Sequence, residues 1–403
     1  MKIAYITAHS PYGRGETFIK EEMNTILDLG IDLIILPRNP SKEVFHKSAK
    51  KLCERAIRLP LLNFRIFFTF LKEVFLCFRL WRIIGQIIRH SRTLKILVKN
   101  LAVLPKSVYI AGLFRKSPVD DVHAHWGSTT ATMAWIISKL TAIPWSCTFH
   151  RWDIPENNLL KLKVEHASFV RCIDENGRCE VLQRVGEKYR NKVKVIHLGV
   201  RWPEKLILES NTSHSEFVIA CPANFVTIKG HRFLIEACAL LVEKGIRDFL
   251  CLLIGDGPLE EEIHQKIAIL GLKDYIRLTG RLPHEELLRM YYQRKIDIVV
   301  LPSIVTSEGD KEGIPVALME AMAHGTPVIA TRTGGIPELL SGGAGIMVKE
   351  KDANELADAL EELMIDDEKR KAIGESGRKR VIEDFDLIKN TRKLLETIER
   401  SGR

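Results

Sequence analysis

The sequence predicts an α/β protein that contains two doubly wound domains. Short apolar runs of strand length alternate with longer helical patterns, and this alternation occurs in two separate series along the 403 residues. Strands separated by helices of this length build parallel sheets that are covered on both faces. Polar residues and the pair Trp202-Pro203 interrupt the pattern within 199–215. We therefore expect residues 1–205 and residues 206–385 to form one domain each.

The first series begins at the N-terminus of the chain. Its apolar runs predict strands at 3–7, 32–36, 121–125 and 145–150, and its helical patterns predict helices at 18–29 and 129–139. The first run ends in a loop after a few residues and is too short for a signal peptide, so we interpret it as a strand.

The second series has the same organisation. It predicts strands at 217–222, 249–254, 276–279 and 296–301, with helices at 233–244, 259–270 and 284–292 between them. A last helical pattern covers 387–398. In open parallel sheets ligands bind at the carboxyl ends of the strands, so we expect two such domains to face a cleft.

The charge of the chain is unevenly distributed. The net charge is +9, but residues 1–200 hold 32 Lys and Arg against 17 Asp and Glu, and the remaining residues hold 28 against 34. The first half is therefore expected to meet an acidic partner, such as an anionic membrane surface, a phosphorylated lipid or nucleic acid. The eight cysteines have no C-x-x-C spacing, which is typical of reduced thiols in a cytosolic protein.

Residues 61–116 form a basic insert with eleven Lys and Arg and a single acid, Glu73. Within 64–90 the polar residues recur at helical spacing and leave an apolar remainder rich in phenylalanine. A spanning helix needs about 20 predominantly apolar residues in a row, and charges interrupt this segment too often. The pattern favours a helix in the interface of an anionic membrane, with amphipathic helices packed on the first domain as the alternative.

Glu312 and Glu320 carry the most chemical information. Glu312 follows an apolar run and a loop, and Pro315 can occupy the first turn of a helix that contains Glu320. The N-terminus of a helix attracts phosphate, and a carboxylate accepts hydrogen bonds from vicinal hydroxyls. Two carboxylates beside such a helix end suit a ligand with a sugar on each side of a diphosphate.

The continuation of this segment is Gly325, Pro327 and Val328, then Gly334, Gly335 and Glu338. The whole pattern resembles the donor-binding signature of retaining glycosyltransferases of family 4, the glycosyl transferases group 1. The resemblance implies the GT-B fold, in which two Rossmann-like domains face a central cleft and a last helix, here within 386–403, crosses back to the first domain. It also implies that Glu312 contacts hydroxyls of the transferred sugar and that Glu320 holds the ribose, with further donor contacts from Gly313, Ile314 and Val316.

Other expected donor-binding residues follow strands of the second domain. Lys229 can meet a diphosphate at the strand ends. The family usually has an arginine five residues before this lysine, whereas this chain has Asn224, which keeps a hydrogen-bond donor and loses the charge. The resemblance places Gly255 and Gly257 at a wall of the nucleotide pocket, and Arg281 where family members contact the base.

In the first domain, His150 ends a predicted strand and precedes Asp153 by three residues. The resemblance implies that such a His and acid lie beside the reacting centre. His123 and His125 alternate on a strand and so point to one side; we expect His125 to line the cleft and His123 to support it. A metal site is the alternative, although no third ligand is placed by the sequence. Gly13 and Gly15 permit a close approach of the backbone to donor or acceptor, in a pattern similar to family members of exopolysaccharide assembly.

The sequence thus predicts a retaining glycosyltransferase that moves a hexosyl unit from a UDP- or GDP-linked sugar to a lipid-linked or polysaccharide acceptor. His150, Glu312 and Lys229 are the expected catalytic residues, and attack on the face that the diphosphate leaves is the preferred route to retention. We expect no cofactor, no metal and no nucleic-acid partner, and a cytoplasmic location on the inner face of the membrane. The alternatives are a nucleotide-sugar epimerase of the same fold and a non-catalytic membrane-binding adaptor.

Overall fold

Two units, each with one parallel sheet, make up the computed structural model, which describes residues 1–12, 16–40, 49–206 and 216–402. Unit 1 comprises Met1–Leu198 and Leu387–Arg403, and unit 2 comprises Gly199–Asp386. The boundary between the units thus lies slightly before the one expected from the sequence, and the last helix belongs to unit 1.

Unit 1 has a six-stranded sheet with the order β2-β1-β3-β4-β5-β6, and every neighbouring pair is parallel. Its elements are β1 (Lys2–Thr7), α1 (Thr17–Asp28), β2 (Asp32–Pro37), α2 (Lys50–Glu54), α3 (Phe64–Leu76), α4 (Phe78–His90), α5 (Leu94–Lys116), β3 (Asp121–His125), α6 (Thr129–Thr141), β4 (Trp145–Phe149), α7 (Asp153–Glu156), α8 (Leu160–His166), β5 (Phe169–Cys172), α9 (Glu175–Val185) and β6 (Val193–Val195). The chain returns to this unit at its last helix.

Unit 2 also has a six-stranded parallel sheet, with the order β12-β11-β10-β7-β8-β9. The elements of unit 2, followed by the last helix of unit 1, are β7 (Phe217–Pro222), α10 (His231–Glu243), β8 (Phe249–Ile254), α11 (Glu260–Ile269), β9 (Ile276–Gly280), α12 (His284–Tyr292), β10 (Ile298–Leu301), α13 (Val316–Ala323), β11 (Val328–Thr331), α14 (Ile336–Leu339), β12 (Ile346–Val348), α15 (Ala353–Ile365), α16 (Asp367–Asp384) and α17 (Leu387–Gly402). The prediction of two doubly wound α/β domains is confirmed.

The helical pattern of 64–90 in the basic insert is divided between two amphipathic helices, which was one of the arrangements that the sequence allowed. Two helices, α3 and α4, occupy this segment, and they are separated by Cys77, whose backbone is extended (φ −114°, ψ 95°). No proline or glycine stands at the break, which explains why the sequence pattern did not reveal it. Helix α3 begins after Asn63, whose side-chain oxygen accepts a hydrogen bond from the amide of Ile66.

The two helices have one packed face and one exposed face. Ile66, Leu80, Ile83 and Ile87 are buried, and the last three belong to the core of unit 1. The opposite face is rich in large exposed side chains: Phe64, Phe67, Phe68, Leu71, Phe75, Leu76, Phe78, Trp81 and Ile88. Packing on unit 1 therefore accounts for the buried face of α3 and α4 but not for their exposed apolar face.

Helix α5 follows the two amphipathic helices and is the one helix among the described residues that is long and apolar enough to cross a membrane, with 23 residues and an 18-residue window of mean hydropathy 1.4. Half of that window is buried inside the protein, and the helix packs against α6. Its interior holds the buried polar residues Asn100 and Lys106. These contacts are those of a core helix.

Buried lysines join separate segments of unit 1. The Nζ of Lys163 donates to the carbonyl oxygens of Gly127 (2.8 Å), Ser128 (2.7 Å) and Asn158 (2.6 Å). The Nζ of Lys106 likewise donates to three carbonyl oxygens, those of Pro37 and Arg38 at the end of β2 and that of Leu59 before α3. Burial lowers the pKa of both lysines to about 7, but three carbonyl acceptors match the three donors of an ammonium group and oppose this shift. Lys163 thereby fixes the loop after β3.

We predict that Lys163→Met destabilises the protein by about 2–4 kcal/mol, because methionine leaves three buried carbonyls without their donor. Urea unfolding followed by tryptophan fluorescence measures the effect. The matched control is Lys161→Met, two residues earlier on the same helix and exposed to solvent, which should change the free energy of unfolding by less than about 0.5 kcal/mol. Equal effects of the two substitutions would contradict the role of Lys163.

Candidate functional site

The strand order of unit 2 creates a crevice position at the carboxyl ends of β7 and β10. From β7 the chain adds β8 and β9 on one side, and then returns to place β10 on the other side of β7. Loops that leave two such neighbouring strands diverge to opposite faces of the sheet, and ligands of open α/β sheets bind there. Lys229 follows β7 and Glu312 follows β10, so both stand beside this switch point.

Lys229 and Glu312 form an ion pair at the switch point. The Nζ of Lys229 lies 2.5 Å from Oε2 of Glu312, and both side chains are largely buried. The hydroxyl of Ser303, just after β10, also donates to Oε2 of Glu312, over 3.3 Å. The two residues that the sequence assigned to the diphosphate and to the sugar thus form an ion pair with each other.

The two glycines of the signature shape the loop that carries Glu312. Gly334 has a φ of +58°, and a Cβ atom there would lie 1.8 Å from the carbonyl oxygen of Glu312. A Cβ on Gly335 would lie 2.9 Å from the backbone of Gly313. Only glycine fits these positions. The Gly334-Gly335 pair therefore holds the main chain of Glu312 and Gly313 in place.

Helix α13 begins one residue after Pro315, which occupies the position before the helix rather than its first turn. Leu318 and Met319 both donate to the carbonyl of Pro315, so the amides of Val316 and Ala317 have no acceptor inside the helix. Ile314 is buried against this start. The helix directs these two amides and its positive dipole end toward the segment that contains Glu312.

Glu320 lies inside α13 and is bonded to a residue that the sequence did not single out. Its Oε1 lies 2.7 Å from Nε2 of His284, the first residue of α12. The nearby Tyr291 is fully buried, and burial followed by the charge of Glu320 raises its pKa well above the usual value. In the sequence, His284 follows Pro283 at the start of a predicted helix, but no spacing rule connects His284 to Glu320.

Arg281, Asp256 and Asn224 form a second cluster beyond the ends of β7, β8 and β9. The guanidinium of Arg281 donates to both carboxylate oxygens of Asp256 (3.0 and 2.7 Å) and, over 3.1 Å, to Oδ1 of Asn224. Arg281 therefore places a cation beside the asparagine that stands where the family has an arginine.

Gly255 and Gly257 bring two loops of unit 2 into direct contact. Cβ atoms on these residues would lie 2.1 Å from the carbonyl oxygen of Ala223 and 2.5 Å from that of Phe225. The glycines thus permit the loop after β8 to pack directly on the loop after β7. This contact fixes Asn224, which lies between Ala223 and Phe225.

In unit 1, His150 lies at the carboxyl end of β4 and is held on several sides. Its amide donates to Oδ2 of Asp153 over 2.9 Å, and its ring packs against Trp126, with ring centroids 4.3 Å apart. Phe18 lies on another side, with centroids 5.4 Å apart. Burial, then the neighbouring His125 and Arg171, lower the pKa of His150 well below its usual value, so the ring is neutral at pH 7.

His125 corrects the expectation that it lines a cleft. It is fully buried, and its Nε2 lies 2.7 Å from Nε2 of His150 while its Nδ1 lies 2.7 Å from the hydroxyl of Tyr5. His125 therefore supports His150 from within the unit, because a side chain that is completely covered cannot contact a ligand. His123 points to the same side and bonds Ser146 and Thr148, also in the core.

The metal alternative finds no support in the described part of the chain, where no three His, Cys, Asp or Glu side chains are grouped as metal ligands. Gly13 and Gly15 lie outside the residues that the structure describes. The neighbouring Glu16 is described: its carboxylate accepts bonds from the amides of His9 and Ser10 and from Nε1 of Trp126. It thus connects the loop after β1 with the loop after β3.

Residues 203–380 match the family model described as glycosyl transferases group 1. This range contains the described residues of the Lys229, Glu320 and Arg281 clusters. The match therefore covers the site of unit 2, whereas the residues around His150 lie outside it.

Curated relatives extend the similarity into unit 1. The amylovoran biosynthesis glycosyltransferase AmsK of Erwinia amylovora is 34% identical over 265 residues, which cover 62% of this chain and 63% of that protein. The uncharacterized glycosyltransferase MJ1178 of Methanocaldococcus jannaschii is 30% identical over 268 residues, which cover 64% of this chain and 70% of that protein. The chain thus spans less than two thirds of the length of the amylovoran protein.

Solved structures share the whole fold. Anabaena Alr3699/HepE in complex with UDP superposes with a TM-score of 0.73 over 99% of this chain and 100% of that chain, at 18% sequence identity. Sucrose-phosphate synthase of Thermosynechococcus elongatus gives a TM-score of 0.69 over 99% of each chain, at 17% identity. This likeness confirms the predicted GT-B fold.

The buried Asp153 predicts a pH dependence of stability. Burial raises its pKa to about 6, although the amides of Gly127 and His150 oppose the shift. The folded-state pKa is above that of a free aspartate, so the stabilisation by the protonated form is complete below about pH 4 and is lost as the pH rises through about 6. We expect the stability of wild type relative to Asp153→Asn to fall by about 1 kcal/mol between about pH 5 and pH 7.

Urea unfolding at the two pH values measures this difference. The exposed Asp274 supplies the control, since the relative stability of Asp274→Asn should stay constant over the same range. A pH-independent difference for Asp153→Asn would show that its carboxyl group has no raised pKa.

Proposed function

The chain belongs to the glycosyl transferases group 1 family, and on this premise we propose that it transfers a hexosyl unit from a nucleotide-diphosphate sugar to a hydroxyl of a lipid-linked or polysaccharide acceptor. The observation that carries the proposal is the ion pair of Lys229 and Glu312 at the switch point of unit 2. Two relatives add support: AmsK is named for amylovoran biosynthesis, and HepE was solved with UDP.

The donor is proposed to bind along the carboxyl ends of β10, β7, β8 and β9. Lys229 and the first amides of α13 receive the diphosphate, because both offer positive charge beside the same loop. Glu312 receives hydroxyls of the transferred sugar, and Glu320, oriented by His284, receives the ribose hydroxyls. Arg281 supplies the cation that Asn224 lacks, at the end of the diphosphate or at the base.

Donor binding must then exchange partners at the ion pair. A diphosphate that bonds Lys229 takes this cation from Glu312, and the freed carboxylate accepts the sugar hydroxyls instead. The exchange leaves no charge without a partner, because Lys229 then pairs with the diphosphate and Glu312 accepts hydrogen bonds from the sugar. The site thus couples recognition of the phosphate to recognition of the sugar.

The reaction breaks the bond between the anomeric carbon and the diphosphate oxygen and forms a bond from that carbon to the acceptor oxygen. The acceptor proton leaves with the departing diphosphate oxygen, on the same face of the sugar, which gives retention of configuration. Lys229 and the α13 amides stabilise the charge that develops on the leaving group. These groups supply the positive charge, so the proposal includes no metal and no cofactor.

The acceptor is assigned to unit 1, where neutral His150 is the candidate catalytic residue and Asp153 fixes its backbone. Next to this unit's core, the exposed face of α3 and α4 presents its aromatic side chains together with exposed cations: Arg65, Lys72, Arg79, Arg82 and Arg89. Aromatic groups among cations bind the interface of an anionic membrane. A lipid-linked acceptor resides in that interface.

We place the protein in the cytoplasm, at the inner face of the membrane. Nucleotide sugars are the proposed donors, and all eight cysteines are free thiols, as in a reducing compartment. The exposed aromatic face then provides peripheral attachment without a spanning helix.

We predict that Glu312→Ala lowers transfer and slow donor hydrolysis by about 10²–10³-fold, because the substitution removes a preorganised carboxylate from the reacting sugar. Release of the nucleoside diphosphate in a coupled assay measures both rates. Circular dichroism and the melting temperature establish that the variant is folded.

The matched control is Glu308→Ala, in the same loop and exposed to solvent, which should keep the wild-type rate. Wild-type turnover in folded Glu312→Ala would remove the role proposed for this carboxylate.

We predict that Phe64→Ser, Phe75→Ser and Phe78→Ser together weaken binding to vesicles of phosphatidylglycerol by at least about tenfold, because each side chain is at least 78% exposed and is proposed to enter the interface. Flotation with these vesicles and with neutral phosphatidylcholine vesicles measures binding.

The control carries Ile269→Ser and Ile365→Ser, two similarly exposed residues of unit 2, and should float as wild type does. Equal flotation of both variants would exclude the aromatic face as the membrane contact.

A further inference from the structure

A continuous chain of buried polar groups leads from β5 to His150. Nη1 of Arg171 lies 2.6 Å from Oε2 of Glu22, and Oε1 of Glu22 lies 2.5 Å from the hydroxyl of Tyr5. Tyr5 is 2.7 Å from Nδ1 of His125, whose Nε2 is 2.7 Å from Nε2 of His150. None of these five hydrogen-bonded residues is more than 6% exposed. The series of bonds ends at His150, the residue to which the proposed function assigns catalysis.

The charges at the inner end of the chain are fixed. Burial alone would raise the pKa of Glu22, but the ion pair with Arg171, the nearby ring of His125 and the hydrogen bond from Tyr5 hold it well below the usual range. Arg171 is itself held by the carbonyls of Ile196 (2.7 Å) and His197 (2.8 Å). Glu22 is therefore an ionised carboxylate and accepts hydrogen bonds only.

The ionised carboxylate sets the direction of each following bond. Tyr5 has one hydroxyl proton, and it must point to Glu22, because two lone pairs would otherwise face each other across 2.5 Å. The oxygen of Tyr5 then accepts from His125, so Nδ1 of His125 carries a proton. The acid beside His125 is Glu22, whose Oε1 lies 3.6 Å from Nδ1 of His125, and Arg171 already balances that carboxylate. A proton added to His125 would therefore give this buried group a net positive charge. His125 is therefore neutral, and its Nε2 is an acceptor.

We propose that Tyr5, Glu22 and Arg171 are positioning residues that hold His150 as the neutral tautomer with its proton on Nε2, which leaves Nδ1 to accept a hydrogen bond from a sugar hydroxyl. This inference rests on the proposed function. Among the described residues none bonds Nδ1 of His150, whereas Nε2 bonds His125. The rings of Trp126 and Phe18 restrict rotation of the imidazole, and the bond from the His150 amide to Asp153 holds the backbone of His150.

The alternative arrangement of protons is disfavoured at each step. A His150 with its proton on Nδ1 would require His125 to donate through Nε2. A neutral His125 would then have no proton on Nδ1 to give to Tyr5, and the hydroxyl of Tyr5 would leave Glu22. The tautomer of His150 is thus coupled to an ion pair three hydrogen bonds away.

The test is Tyr5→Phe, which removes one hydroxyl and keeps the ring that packs against His123. Nitrogen-15 spectra of the histidine rings, assigned with His150→Gln, report the tautomer directly. We expect wild-type His150 to be wholly in the Nε2–H form and Tyr5→Phe to show a mixture of tautomers. We expect kcat to fall about tenfold with an unchanged donor KM, which corresponds to the loss of one buried hydrogen bond.

Tyr189→Phe is the matched control, since Tyr189 is also buried in unit 1 and lies outside the series of bonds from Arg171 to His150. In this variant the tautomer of His150 and kcat should equal those of wild type. An Nδ1–H tautomer in wild-type His150 would overturn the inference without any variant, and so would unchanged spectra and kcat in folded Tyr5→Phe. A wild type that has the expected tautomer but transfers no sugar would instead overturn the proposed function.

Discussion

Parallel pairing of every strand is the constraint on which both candidate sites depend. Because all strands of a sheet run the same way, the loops that follow them gather at one edge, and the switch in strand order opens that edge between two loops. In unit 2 this brings Lys229 and Glu312, 83 residues apart in sequence, into an ion pair. In unit 1 the switch lies between β1 and β3, where Glu16 bonds Trp126 beside His150.

The cations of both units are paired with oxygens, but they differ in exposure between the units. Lys163 and Arg171 are fully buried, and each is matched by several oxygens, so that neither is an isolated charge. Removing one member of such a group destabilises the folded protein, whereas the complete group fixes the loops around it. Unit 2 instead keeps Lys229 and Arg281 partly accessible, each bonded to one acid that a ligand can replace. The cations of unit 1 thus hold the fold in place, whereas those of unit 2 are accessible to a ligand.

Local patterns in the sequence predicted eight of the twelve described strands, and all eight are present. The strands β5, β6, β11 and β12 were not predicted, because runs of three or four residues are too short to show a period. The spacing of the glutamates and glycines identified the segment around Glu312 as part of the family pattern. Local sequence patterns did not predict contacts between residues that are distant in sequence. Tyr5, Glu22 and Arg171 lie on three separate elements, and His284 reaches Glu320 from another helix. His125 looked accessible because alternation gives the side of a strand, but not the depth of a side chain within the unit. The break at Cys77 carries no local signal at all.

Both proposed roles of unit 2 require that Lys229 binds the diphosphate of a nucleotide sugar as it separates from Glu312. The melting temperatures of wild type and Lys229→Met with a panel of uridine and guanosine diphosphate sugars test this binding, since a ligand that binds the folded state raises the melting temperature. We expect at least one of these sugars to raise the melting temperature of wild type and Lys229→Met to lose this shift. Equal shifts in both proteins, or no shift with any nucleotide sugar, would show that Lys229 does not bind the donor.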